Sequence, residues 1–214
     1  MPASAEILAG LSQIANGWSI VAIAWHAAIG ALLLALFLGW RPPRALFAAL
    51  MALPLLSVSL FAWLAGNPFN GAVFVTAAAA VLGLGAVSPG ARISLSTGGY
   101  LFAGLAVIGF GWLYPHFLES GPVWRYLYAA PTGLVPCPTV SAVTGLALVT
   151  RGLDSRAVSL LLAALGLFYG LFGALRLGVH LDIGLVVAAA VLAVQAFQSE
   201  PPRLRRGSAG TARS

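Results

Sequence analysis

The chain has 214 residues, of which 60% are apolar and only 7% charged. A soluble globular protein carries roughly 25% charged residues, so water is excluded as the solvent for most of this surface, and the soluble enzyme classes go with it. The net charge of +6 comes from eleven basic residues, all arginine, and their placement points to a membrane surface and not to nucleic acid.

Residues 1–17 precede the first apolar run and have the length of a short interfacial helix on the outer side. The first run starts at Trp18 and continues for about 22 residues, where a bilayer core needs about 20 helical residues per crossing. Glu6 stands before this run and Arg41-Pro-Pro-Arg44 after it. A cleavable leader has the opposite order, with positive charge in front and small residues behind, so a permanent span is expected.

Further apolar runs give spans at 18–39, 44–65, 71–87, 98–117, 129–150, 156–175 and 182–198, separated mostly by Gly- and Pro-containing breaks. The expected fold is all-α: a polytopic transmembrane helix bundle over 18–198, with about seven spans. Residues 199–214 are rich in Pro, Arg, Gly and Ser and have almost nothing to bury. They read as a disordered basic tail, with each arginine near an anionic headgroup contributing about 1 kcal/mol.

Arginine placement orients the bundle. With the N-terminus outside, nine arginines fall inside (41, 44, 92, 151, 156, 203, 205, 206 and 213) and two outside (125 and 176). If 129–150 were a re-entrant hairpin, everything downstream would flip, leaving four inside against seven outside. The crossing reading is therefore adopted, with the C-terminus cytoplasmic in a bacterial inner membrane. The bilayer and anionic lipids at the arginine-rich inner face are the expected partners, together with a second copy or a membrane partner.

The same layout sorts the reactive groups. His26, His116, His180 and the only cysteine, Cys137, all fall in the outer half or on the outer side, with Glu6, Glu119 and Asp182. His26 lies roughly 12 Å below the outer end of its span at 1.5 Å per residue. A polar ring at that depth either serves a site or is a neutral imidazole bonded to a neighbouring backbone carbonyl. In Tyr114-Pro-His-Phe-Leu-Glu119, a helix would set His116 and Glu119 on one face, where the carboxylate could orient the ring or share a metal. The alternative is a solvated helix end within an aromatic belt of Trp112, Tyr114, Trp124, Tyr126 and Tyr128.

The most informative stretch is Ala130-Pro-Thr-Gly-Leu-Val-Pro-Cys-Pro-Thr139. Three prolines and a glycine preclude a regular helix. The apolar helix after Pro138 extends about 20 Å, too short for a core of roughly 30 Å. Irregular backbone is therefore expected at membrane depth, where it must be buried in protein or line a wet cavity. Cys137, framed by Pro136 and Pro138, sits near a helix start, which favours a thiolate and soft-metal ligation; the plain reading is a small buried side chain. His180 and Asp182 flank Leu181 in the last outer loop, and in an extended segment they would point the same way.

The motifs Tyr114-Pro-His-Phe-Leu-Glu119 and Ala130-Pro-Thr-Gly-Leu-Val-Pro-Cys-Pro-Thr139 resemble an uncharacterised bacterial membrane family, domain of unknown function 6064. The resemblance implies a multi-span inner-membrane protein and carries no activity. Gly133-Leu-Val-Pro-Cys-Pro138 is also similar to the nickel/cobalt exporter family. That family adds a first-helix His, four residues, Asp, His and a histidine-rich loop. Here Ala27-Ala-Ile-Gly-Ala31 comes after His26 and no such loop exists, which leaves a generic soft-metal suggestion.

No phosphate-binding glycine loop, His-Glu-x-x-His, Cys-x-x-Cys or Gly-x-Ser-x-Gly occurs. The expectation is a small permease-like protein for a metal ion or small solute. His26 and Cys137 would be inner ligands, His116 with them in a metal site, and Glu119, Pro136, Pro138, His180 and Asp182 would complete the binding region. The alternatives are a scaffold or accessory subunit that docks a partner and, more weakly, an intramembrane enzyme acting through Cys137.

Overall fold

The computed structural model describes residues 3–87, 90–119 and 121–198, and the basic tail therefore lies outside the described residues. The chain is helical, with α1 at Ser4–Gly17, α2 at Ser19–Phe37, α3 at Arg44–Leu64, α4 at Pro68–Ala86 and α5 at Gly99–Leu113. A short α6 at Tyr126–Ala129 precedes α7 at Pro136–Val149, α8 at Arg156–Leu171 and α9 at Ile183–Gln198.

Local chemistry sets several of these starts. Asn67 caps α4, accepting the Asn70 N–H at 3.0 Å, with Pro68 in the first turn where its missing N–H costs nothing. Ser155 caps α8 in the same way through the Val158 N–H. Pro136 opens α7 behind an extended Val135.

Five helical segments of 19–21 residues are long and apolar enough to cross a membrane: α2, α3, α4, α8 continued to Arg176, and α9 with the turn before it. Two shorter apolar helices, α5 and α7, lie among them. Large side chains on the perimeter are exposed, among them Ile20, Leu34, Leu38, Leu64, Phe102 and Phe197. Such a surface would be an aggregation liability in water and is the ordinary contact surface in hydrocarbon.

Helix α7 is the axis of the bundle. Every residue from Pro136 to Val149 is buried, as is the irregular stretch 130–135 that leads into it. The expected irregular entry is therefore present and enclosed by protein. Its polar groups are matched locally: Thr132 Oγ1 donates to Gly111 O, the Gly133 N–H donates to Thr139 Oγ1, and Thr139 Oγ1 donates to Val135 O. Helices α5 and α7 approach closely through small residues. A Cβ at Gly145 would fall 2.7 Å from Gly104 O and from Ile108 N, and Ser141 donates to Val107 O across the same seam. Dispersion and such hydrogen bonds hold helices together where lipid cancels the hydrophobic term.

Two ends of the bundle are distinct. At the arginine-rich end, Arg44 Nη2 lies 3.0 Å from Asp154 Oδ2, Ser94 Oγ donates to the same carboxylate, and Pro43 forms a β-bridge with Arg92. Asp154 belongs to a turn, Arg151–Asp154, in which all four residues have φ between +49° and +59°. Left-handed backbone costs a non-glycine residue about 1–2 kcal/mol. The fixed contacts of Asp154 and the fully buried Leu153 hold the turn in place.

At the opposite end α1 reaches across the loops. Asn16 Nδ2 donates to Phe117 O at 2.9 Å, the Glu119 N–H donates to Asn16 Oδ1, and Ser4 Oγ donates to Arg176 O.

Two local expectations are corrected. The helix expected through 117 stops at Leu113, because Pro115 has no N–H and excludes α geometry for Tyr114, whose ψ is 89°. Phe117 then takes φ +77°, so His116 and Glu119 do not share a helix face. Residues 180–182 form a 3₁₀ turn and not an extended strand; His180 is exposed while Asp182 is buried, so the two side chains diverge.

Candidate functional site

The end of α5, the head of α7, a π-helical turn at Phe172–Arg176 and the start of α9 meet around one carboxylate, that of Asp182. Tyr114 donates its hydroxyl to Asp182 Oδ1 at 2.5 Å and Cys137 Sγ donates to Oδ2 at 3.2 Å. Asp182 is 1% exposed, Tyr114 0% and Cys137 7%. Ionised in such surroundings, a carboxylate loses several kcal/mol of hydration, and each hydrogen bond to it returns about 1.5–3 kcal/mol. The hydroxyl and the thiol are both neutral donors, so neither of these two bonds is an ion pair.

Local structure makes the space for it. A Cβ at Gly173 would stand 1.7 Å from Asp182 Oδ2, so only glycine there admits the carboxylate. Single π turns inside helices occur often at functional sites, and here the turn carries Gly173. Beside Cys137 the broken segment is covered by Trp25, whose ring lies where a Cβ of Gly133 (φ +80°) would be. Tyr169, on α8, donates to Asn70 Oδ1 at 2.8 Å.

His116 lies in the loop beyond α5, half-buried against Phe117 with ring centroids 4.4 Å apart. Burial holds its imidazole below the ordinary range, and the nearby Asp182 carboxylate partly offsets this. The folded loop therefore binds fewer protons than the unfolded loop below about pH 6.5. Its stability is complete above that pH and falls as pH drops through the folded value. Amide exchange across 114–119, corrected for intrinsic rates, should be faster at about pH 5 than at about pH 8. His116→Gln should remove most of that difference, and equal protection in wild type at both pH values would exclude this role.

The expected ligand set is only partly assembled. Cys137 and Asp182 meet, with Pro136 and Pro138 shaping the first turn of α7 around the thiol. His26 is elsewhere: Nδ1 faces Ala22 O at 2.8 Å and Nε2 faces Trp112 O at 2.9 Å. The site lined by Ile29, Ile108 and Thr132 beside it leaves no room for water. Of the two readings of this residue, the backbone-bonded one is the arrangement found.

Glu119 and His180 are exposed. Among the described residues no group of three or more His, Cys, Asp and Glu side chains is placed to hold a metal. The triad His26, His116 and Cys137 is thus not assembled as a metal centre among the described residues, and the ring of His26 lies between two carbonyls, to one of which a neutral imidazole donates its single N–H. His26→Leu should cost about 1–3 kcal/mol by removing the buried imidazole N–H from the carbonyl it serves, Trp112 O or Ala22 O, read as a lower melting temperature in detergent. A large loss of function at unchanged stability would instead place His26 in the site.

Two participants are not singled out by the sequence. Tyr114 reads there as one of several belt aromatics, and Gly173 as one small residue among many in the 156–175 span; the Tyr-Pro pair that closes a span is the signal that could have pointed to the first. No family model matches this chain, and neither a curated protein nor a solved structure shows significant similarity to it.

Proposed function

We propose that this chain is a small permease-like protein of the bacterial cytoplasmic membrane, with seven crossings, an outer N-terminus and a cytoplasmic C-terminus. The arginine distribution, nine against two, supports the orientation. The observation that carries the reading is Asp182: an acid buried among helix ends, held by a tyrosine hydroxyl and a thiol. Ionisable groups within membrane segments mark ion and proton paths, and sites at discontinuous helices are a recurring transporter device.

The cluster is closed in this structure, since all three side chains are buried. Exchange with the outer side therefore requires movement of the 114–119 loop and α1, which are joined through Asn16. The cargo is a proton, a divalent metal ion or a small solute whose passage depends on one. A resident metal is disfavoured by the donor count, because Cys137 and Asp182 supply only two ligands.

Proteoliposomes loaded with a pH-sensitive or zinc-sensitive dye test this reading. Wild type should carry protons or Zn²⁺ faster than empty vesicles, and Asp182→Asn should lose at least about tenfold of that rate. Equal rates in wild type and variant would sink it. A second reading, docking of a partner subunit, draws on the exposed apolar edge of Val123, Trp124 and Leu127. A stoichiometric partner retained in mild detergent would favour it.

A further inference from the structure

At the arginine-rich end, remote from Asp182 along α9, a cavity of about 330 Å³ opens between the segment before α5, the last turn of α9 and the turn after α7. Its polar lining is Ser96, Thr97, Tyr100, Arg151, Gln195 and Gln198. Three hydroxyls, two carboxamides and one guanidinium face this space, and no acid lines it.

The lining is fixed in place. Gln195, 4% exposed, donates through Nε2 to Ser96 Oγ and to Leu148 O, each at 3.1 Å. Ser96 Oγ donates to Leu148 O, and the Tyr100 hydroxyl donates to Gln198 Oε1. Arg151 is held at φ +54° at the head of the left-handed turn. Its ion pair with Asp154, 3.6 Å long, runs through Nε. The two terminal nitrogens have no other hydrogen bond or ion pair among the described residues.

We propose that this cavity binds a phosphoryl group carried on a small polar body. A guanidinium fork matches two phosphate oxygens, and hydroxyl and amide groups suit the remaining oxygens and the hydroxyls of a glycerol-like body. A bare phosphate would leave much of the volume unfilled, which is already within the range of sites for small organic ligands. Two sources share this chemistry: the headgroup of an anionic phospholipid and a soluble phosphate ester. Leu95 adds an apolar side to the lining, and Phe102 and Phe197, two and one residues from Tyr100 and Gln198 in sequence, are exposed rings, so an apolar surface suited to acyl chains is at hand, which favours the lipid.

The test uses the full chain in detergent with three probes: phosphatidylglycerol, diacylglycerol with the same acyl chains, and glycerol 3-phosphate. Binding is read by native mass spectrometry and by thermal shift. Phosphatidylglycerol should bind at least about tenfold more tightly than diacylglycerol, and Arg151→Gln should remove about tenfold of that affinity. Tight binding of glycerol 3-phosphate without acyl chains would assign the site to a soluble ester.

Arg151→Gln could disturb the turn, so Thr97→Val, at an exposed rim position, gives a second variant with the fold intact. It should weaken the same probe about threefold or more. Equal binding of phosphatidylglycerol and diacylglycerol, with no binding of the ester, overturns the proposal. So does wild-type affinity in both variants, or in Thr97→Val alone if Arg151→Gln does not fold.

Discussion

Gly173→Ala should abolish the Asp182-dependent flux although it removes no titratable or hydrogen-bonding side chain. The added methyl would start 1.7 Å from Asp182 Oδ2 and 2.7 Å from Cγ, so the carboxylate must leave its place. It cannot rotate away and still accept from both Tyr114 and Cys137, which lie on two other elements. Overpacking of this kind costs about 1–3 kcal/mol, and displacement of a functional group by about 1 Å can reduce a rate by about 100-fold. The dye-loaded vesicles read the flux, and thermal melting reads the stability. In an Asp182→Ala background the contacts with the carboxylate are gone and only the 3.0 Å approach to the Cβ of residue 182 remains, so Gly173→Ala should then cost much less stability. Wild-type flux in the single variant would refute the site.

Gly145→Val should cost more, about 3 kcal/mol or above, through a different mechanism. Its Cβ would lie 2.7 Å from Gly104 O and Ile108 N, backbone atoms of the facing helix that have no rotamer to escape into. The helices α5 and α7 would have to separate, with loss of the bonds from Ser141 to Val107 O and from Thr132 to Gly111 O. Carbonyls freed inside this buried seam find no water. A much lower melting temperature and aggregation on gel filtration are the expected readouts. An unshifted melting curve would mean that α5 and α7 can move apart at this seam without loss.

Much of the architecture is legible in the residues because helical rise and bilayer thickness constrain apolar runs. The positions of α2, α3, α4, α8 and α9 come from run length, and the Pro-rich stretch announces the broken entry into α7. Details decided by single dihedrals are less accessible. A helix carried through Pro115 would bring His116 and Glu119 together, and an extended 180–182 would pair an exposed histidine with a buried acid; neither geometry forms. The bond between Cys137 and Asp182 joins residues 45 apart in sequence, and no local pattern encodes it. Gly173 is visible as a small residue, but its reason, the seat of a carboxylate, exists only once α8 and α9 are packed.

The burial of α7 on every side has a consequence for how the chain is made. Six irregular residues and a 14-residue helix of Thr, Ser, Gly and Pro among apolar residues cannot settle alone in lipid. The segment's polar groups are matched by α5, by Ser96 in the segment before α5 and by Gln195 and Asp182 at the two ends of α9. On the seven-crossing reading this segment depends both on α5, made before it, and on α9, made after it. The tight left-handed turn to α8 leaves almost no slack between the two, so α7 and α8 would enter as a hairpin, with α8 supplying the lipid affinity that α7 lacks. On that reading, helices released one at a time would leave α7 without its partners, and joint release with its neighbours is what the packing favours.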